Sequence, residues 1–65
     1  MKMKEFLSKY IFIRVETSEK VMMHKCALLN NISDTHISIL DTFDNKPYLY
    51  RIKDVIEIKL SNKQI

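Results

Sequence analysis

Residues 48–60, Tyr-Leu-Tyr-Arg-Ile-Lys-Asp-Val-Ile-Glu-Ile-Lys-Leu, constrain the fold of this chain more than any other stretch. They read as a strand, one polar turn at 51–54, and a second strand in alternation. Ile56, Ile58 and Leu60 fall on one face of that strand, and Glu57, Lys59 and Ser61 on the other. A period of two is the pattern of a half-buried strand. Two short strands joined by one turn, in so short a chain, point to a small antiparallel β domain.

Length sharpens that expectation. Sixty-five residues make one domain, 1–65, with one small core, and leave little room to enclose a deep substrate pocket. Chains of this size lean on disulfides, a metal, oligomerisation or a closed barrel. The single cysteine excludes an intramolecular disulfide and fits a reducing, cytoplasmic setting. No apolar run approaches the ~20 residues of a membrane span, and the basic start Met-Lys-Met-Lys-Glu-Phe-Leu lacks the apolar core of a signal peptide.

The net charge of +3 is unevenly spread. Residues 1–25 hold six Lys/Arg and three acids, 26–45 hold no Lys or Arg and three Asp, and 46–65 hold five Lys/Arg and two acids. With the two ends side by side, their cations would form a positive face opposite an acidic one; charges this modest also simply keep a small protein soluble. The chain has no glycine. Turns that need positive φ therefore fall to Asn30, Asn31, Asp34, Asp44, Asn45 or Asn62. Glycine-rich phosphate loops, and the nucleotide-dependent enzymes built on them, are excluded.

Met3, Phe6, Leu7 and Tyr10 recur at helical spacing, which predicts a short helix over about 2–10 whose apolar face caps the sheet. Strands are expected at about 11–16, 21–29, 36–41, 48–52 and 55–60, with a polar turn at 30–34 and a loop at 41–47 ending in Pro47. Along 21–29 neither parity is purely polar, so both faces of that long strand should be partly covered. The fold class is mainly β: a helix, then a five-stranded small barrel.

The chemistry-bearing residues make no catalytic set. His24, Cys26 and His36 are too few for structural zinc, which takes four ligands and commonly a close cysteine pair. Cys26 lies in an apolar run, where a buried inert thiol is the ordinary outcome. Asp34, Asp41, Asp44 and Asp54 each sit beside turn residues, where carboxylates accept local backbone hydrogen bonds. No enzyme, metal or cofactor is expected. Tyr48 and Tyr50 share one face of the fourth strand and Leu49 lies on the other with Arg51, so that strand is apolar on both sides. Aromatic rings beside Arg51 and Lys53 are also the ingredients of single-stranded nucleic-acid binding.

The order of parts resembles the Sm-like family, especially its bacterial Hfq branch. The likeness runs through the opening Glu5-Phe6-Leu7, the strand Ile11-Phe12-Ile13-Arg14-Val15, the long second strand at 21–29, the polar turn at 30–34, and Tyr50-Arg51-Ile52-Lys53-Asp54-Val55-Ile56 before the last strand. Thr17-Ser18-Glu19-Lys20 stands where the family has a glycine, and Ile52 where the Hfq branch has a histidine. The resemblance implies an SH3-like or Sm-like barrel assembled as a homo-oligomeric ring through its fourth and fifth strands, with RNA contacts at Asn30–Asn31 and Arg51–Lys53.

The expected function is that of a small regulatory protein binding RNA or another nucleic acid. Lys9, Arg14, Arg51, Lys53 and Lys59 would contact phosphates, and Tyr50 or Tyr48, with Asn30 and Asn31, bases. Phe43, Tyr48, Leu49, Tyr50, Ile56 and Ile58 are the candidate interface residues. The alternative is a non-catalytic protein-interaction module, such as a phage or mobile-element encoded inhibitor of a host protein, with Phe43, Tyr48 and Tyr50 as anchors.

Overall fold

The computed structural model describes residues 3–61. Lys2 of the expected helix and the turn candidate Asn62 lie outside them. The described residues form five strands: β1 (Tyr10–Glu16), β2 (Val21–Ile32), β3 (His36–Asp41), β4 (Pro47–Arg51) and β5 (Val55–Leu60). They make one open antiparallel sheet in the order β4-β3-β2-β1-β5, so β4 and β5 are its edges.

The N-terminal segment departs from the helical expectation. It makes a single 3-10 turn, Met3–Phe6, and Tyr10 already belongs to β1. Two or three turns of helix cannot hold themselves together in water, and here the sheet offers the backbone better partners. Ser8 takes φ 66°, and its N–H donates to the Leu29 carbonyl at 2.8 Å. The Leu29 N–H in turn donates to the Lys9 carbonyl at 3.1 Å. The capping role survives without the helix, because Met3 and Phe6 still pack against the core.

Three register shifts shape the sheet. Ile11 pairs with Ala27 and Ile13 with His24, so Lys25 and Cys26 together stand opposite Phe12. This β-bulge exchanges the faces of β2. Before it Met22 and His24 share the side of Val15 and Ile13, and after it Ala27 and Leu29 point inward. The mixed parity of 21–29 thus records one strand with a reversal in the middle. A second shift leaves Asn30 unpaired between Leu29↔Ile39 and Asn31↔Ser38, and β2 continues to Ile32. The polar turn expected at 30–34 begins only at Ser33, whose hydroxyl accepts the Thr35 and His36 amides at 3.3 and 3.0 Å.

The third shift corrects the reading of the last strand. Val15 pairs with Val55 and Arg14 with Glu57, which leaves Ile56 bulged out and exposed. Val55 is buried and Ile58 half-buried on the core side, so the strict alternation from Ile56 to Leu60 is broken where it begins. The core itself is Ile11, Ile13, Val15, Ala27, Leu29, Ile37 and Ile39, all fully buried, with Met3 and Val55 at its margins. Each large aliphatic side chain there contributes about 1.5–3 kcal/mol of transfer free energy.

Candidate functional site

On the core side of the sheet, beyond the aliphatic cluster, the first bulge aims His24 inward, where it is buried. Asp41 closes β3 on the same side. The imidazole Nδ1–H donates to Asp41 Oδ2 at 2.5 Å, and Nε2 meets the Tyr50 hydroxyl at 2.6 Å. The Tyr48 ring lies 4.5 Å from that of His24 and stacks on Tyr50 at 6.1 Å between centroids. Every buried polar side-chain atom among the described residues has a partner.

Charge follows from these contacts. Burial works to raise the Asp41 carboxyl, but hydrogen bonds from His24 and the Phe43 and Asp44 amides, with the His24 charge, outweigh it and hold the group below its ordinary 3.8. The Tyr48 hydroxyl donates to Asp44 Oδ2, and that bond above all pushes the phenol up to about 12. Burial, aided by the nearby Asp41 and Asp44 charges, also raises Tyr50. Both phenols therefore stay protonated at neutral pH. Tyr50 was expected to offer its ring to a base and Tyr48 to a partner; both are half-buried walls of this chain of polar groups.

The same carboxylate shapes the loop between β3 and β4. Asp41 Oδ1 accepts the Phe43 and Asp44 amides at 2.7 and 3.4 Å, and the Asn45 amide donates to the Asp41 carbonyl at 2.8 Å. Asn45 takes φ 59°, as its residue type allows. Thr42 Oγ1 adds a bond to the Cys26 carbonyl at 2.8 Å. Phe43 is thus held 63% exposed on a tightly bonded loop, beside Met23 and Lys25 in a shallow cleft of about 390 Å³.

A larger groove, about 540 Å³, opens where the β2–β3 turn meets the turn after β4. The Ile52 amide donates to the Thr35 carbonyl at 2.8 Å and locks the two turns together. His36 pairs with Arg51 across β3 and β4. Asp34, Thr35 and His36 line one side of the groove and Arg51, Ile52 and Lys53 the other. Thr35 Oγ1 engages His36 Nδ1 at 2.7 Å, which leaves Nε2 for a ligand. Arg51 spends only Nε on Asp54, at 3.1 Å, and Lys53 has no acid within ion-pairing distance among the described residues.

The expected nucleic-acid residues therefore divide. Arg51 and Lys53 join at the groove, whereas Arg14 and Lys59 lie on β1 and β5, across the sheet, sharing Glu57 at 3.6 Å each. Lys9, Asn30 and Asn31 are exposed near the ends of β1 and β2. Of the interface candidates, Phe43, Leu49 and Ile56 are exposed, Leu49 by 69%, and Ile58 is half-buried. Three features escaped sequence reasoning. The Asp41–His24 pair links positions 17 apart, and nothing local announces it. His36 reaches the groove only through the β3–β4 register. The outward row Tyr10, Phe12, Arg14 was legible as the complement of inward Ile11, Ile13, Val15, but Tyr10 had been placed on a helix. Among the described residues no group of three or more His, Cys, Asp or Glu is placed to hold a metal, and no helix is long and apolar enough to cross a membrane. Compared with known proteins, the chain matches no family model, no curated protein and no solved structure.

Proposed function

We propose that the protein binds single-stranded nucleic acid, RNA by the Sm-like resemblance, at the groove between the β2–β3 turn and the Arg51–Lys53 segment. The observation that carries this reading is the mixed lining of that groove: two cations, a histidine and a carboxylate around the apolar Ile52. Arg51 and Lys53 take phosphates, while Asp34, Thr35 and His36 offer an acceptor and donors to a base edge. A bare anion would need no such acceptor. A histidine supplied from β3 serves where the Hfq branch places one after its tyrosine-basic pair. In the same reading the sheet is one subunit of a small-barrel oligomer whose β4 and β5 edges pair with neighbours, since open edges of this length invite strand addition.

The test is the double charge reversal R51E/K53E, assayed with a labelled oligouridylate across a salt series. Affinity should fall at least about tenfold and the salt slope flatten by about 1.4, two phosphate contacts at ~0.7 each on a single strand. Wild-type affinity in a variant that melts normally overturns the assignment. A second reading, a protein-interaction module, is favoured by Phe43, an exposed ring on a hydrogen-bonded loop. Freshly purified protein that is monomeric and free of co-purifying nucleic acid would support that one instead.

A further inference from the structure

We infer that the outward face of β1, flanked by Lys25 of β2 and Lys59 of β5, is a second contact surface for single-stranded nucleic acid, a stacking platform separate from the groove. It rests on the nucleic-acid reading and extends it to residues that reading does not use. With Ile11, Ile13 and Val15 fully buried, the pleat turns Tyr10, Phe12 and Arg14 to the opposite face. Tyr10 is 50% exposed and Phe12 half-buried. The register sets Phe12 against Lys59 on one side and against the bulge containing Lys25 on the other. The Lys59 ammonium stands 5.0 Å from the Phe12 ring centroid. Along the next row Arg14 lies between Met23 and Glu57.

This arrangement selects its occupant. Two rings at alternate positions of one strand stand roughly 6.8 Å apart, about twice the ~3.4 Å step between stacked bases. Tyr10 can thus take one base of an extended strand and Phe12 the next, once Lys59, which stands over the Phe12 ring, turns aside to a phosphate. Arg14, Lys25 and Lys59 outnumber the acids of this face, Glu57, which is shared between Arg14 and Lys59, and Glu16 at the end of the β1 row. A second copy of the chain laid on this face would set cation against cation, whereas a polyanion complements it. Strand order places the platform on β2-β1-β5 and the groove on β3-β4, so a strand long enough can engage both.

Affinity for a labelled oligouridylate of about fifteen nucleotides tests it, by fluorescence anisotropy across a salt series. Y10L/F12L should bind at least about tenfold more weakly with an unchanged salt slope, because stacking releases no counterions. K25Q/K59Q should flatten the slope by about 1.4. Cross-linking of wild-type protein to a 5-iodouridine probe, mapped by peptide mass, should mark Tyr10 or Phe12, and it stands independently of how the variants fold. If wild type binds while both variants match it and cross-links fall only near residues 34–36 and 51–53, the platform is overturned and the groove survives. Failure of wild type to bind any single strand overturns both. Variants that lose self-association at unchanged oligonucleotide affinity make the face a contact between copies and overturn the inference.

Discussion

His24 can sit in the interior because Asp41 and Tyr50 occupy both of its ring nitrogens. Removing one partner of such a pair strands the other, which costs about 3–5 kcal/mol in a buried site. Asp41→Ala should therefore be severely destabilising in urea unfolding, more than loss of a surface carboxylate, because it also frees the Phe43 and Asp44 amides. The pH dependence has a definite sign. The folded carboxyl lies below its unfolded value, so its stabilisation is complete above that value and is lost as pH falls through the lowered folded one. The stability gap between wild type and Asp41→Asn should thus close as the pH falls below about 5. A gap that widened in acid would contradict the assignment.

Turns and bulges hold the elements together without a single glycine. Ser8 and Asn45 are the non-glycine residues at positive φ among the described residues. Asn tolerates that region, but Ser gains little there, and the left-handed conformation costs about 1 kcal/mol relative to glycine. Ser8→Gly should raise the melting temperature by about 4–8 °C, the shift that 1 kcal/mol brings in a domain of this size. A lower melting temperature would mean that the serine hydroxyl, or the lost chain stiffness, outweighs the strain. The bulges act at the same scale: one turns His24 inward, another turns Ile56 outward, and neither leaves a glycine to mark it.

As a whole, the molecule has a radius of gyration of 10.7 Å, against about 11 Å expected for a native domain of its length. Its core is complete, yet its sheet ends in two open edges, and one of them carries Leu49 in solvent. Light scattering should find an oligomer, and Leu49→Lys should shift it towards monomer while moving stability by no more than about 0.5 kcal/mol. A wild-type monomer would remove the edge-pairing reading and leave the nucleic-acid surfaces to be judged on their own assays.

By itself the sequence determined the list of strands. Alternation in 11–16, 36–41 and 48–52, with Asn, Asp and Pro between them, places the strands within a few residues of where they form, because period and turn chemistry are local. It also implied the two-sided character of β4, since the parity of Tyr48, Leu49 and Tyr50 needs no knowledge of neighbours. The opening segment misled because Tyr10 fits a helical face as well as a strand, and only the backbone groups of Leu29 decide between them. Bulges were invisible because each is a mismatch between two strands rather than a property of one. The sites depend on how the strands meet: a bulge turns His24 toward Asp41, and plain register sets His36 against Arg51 and Lys59 against Phe12. That last pairing is where tertiary structure turned scattered cations into surfaces.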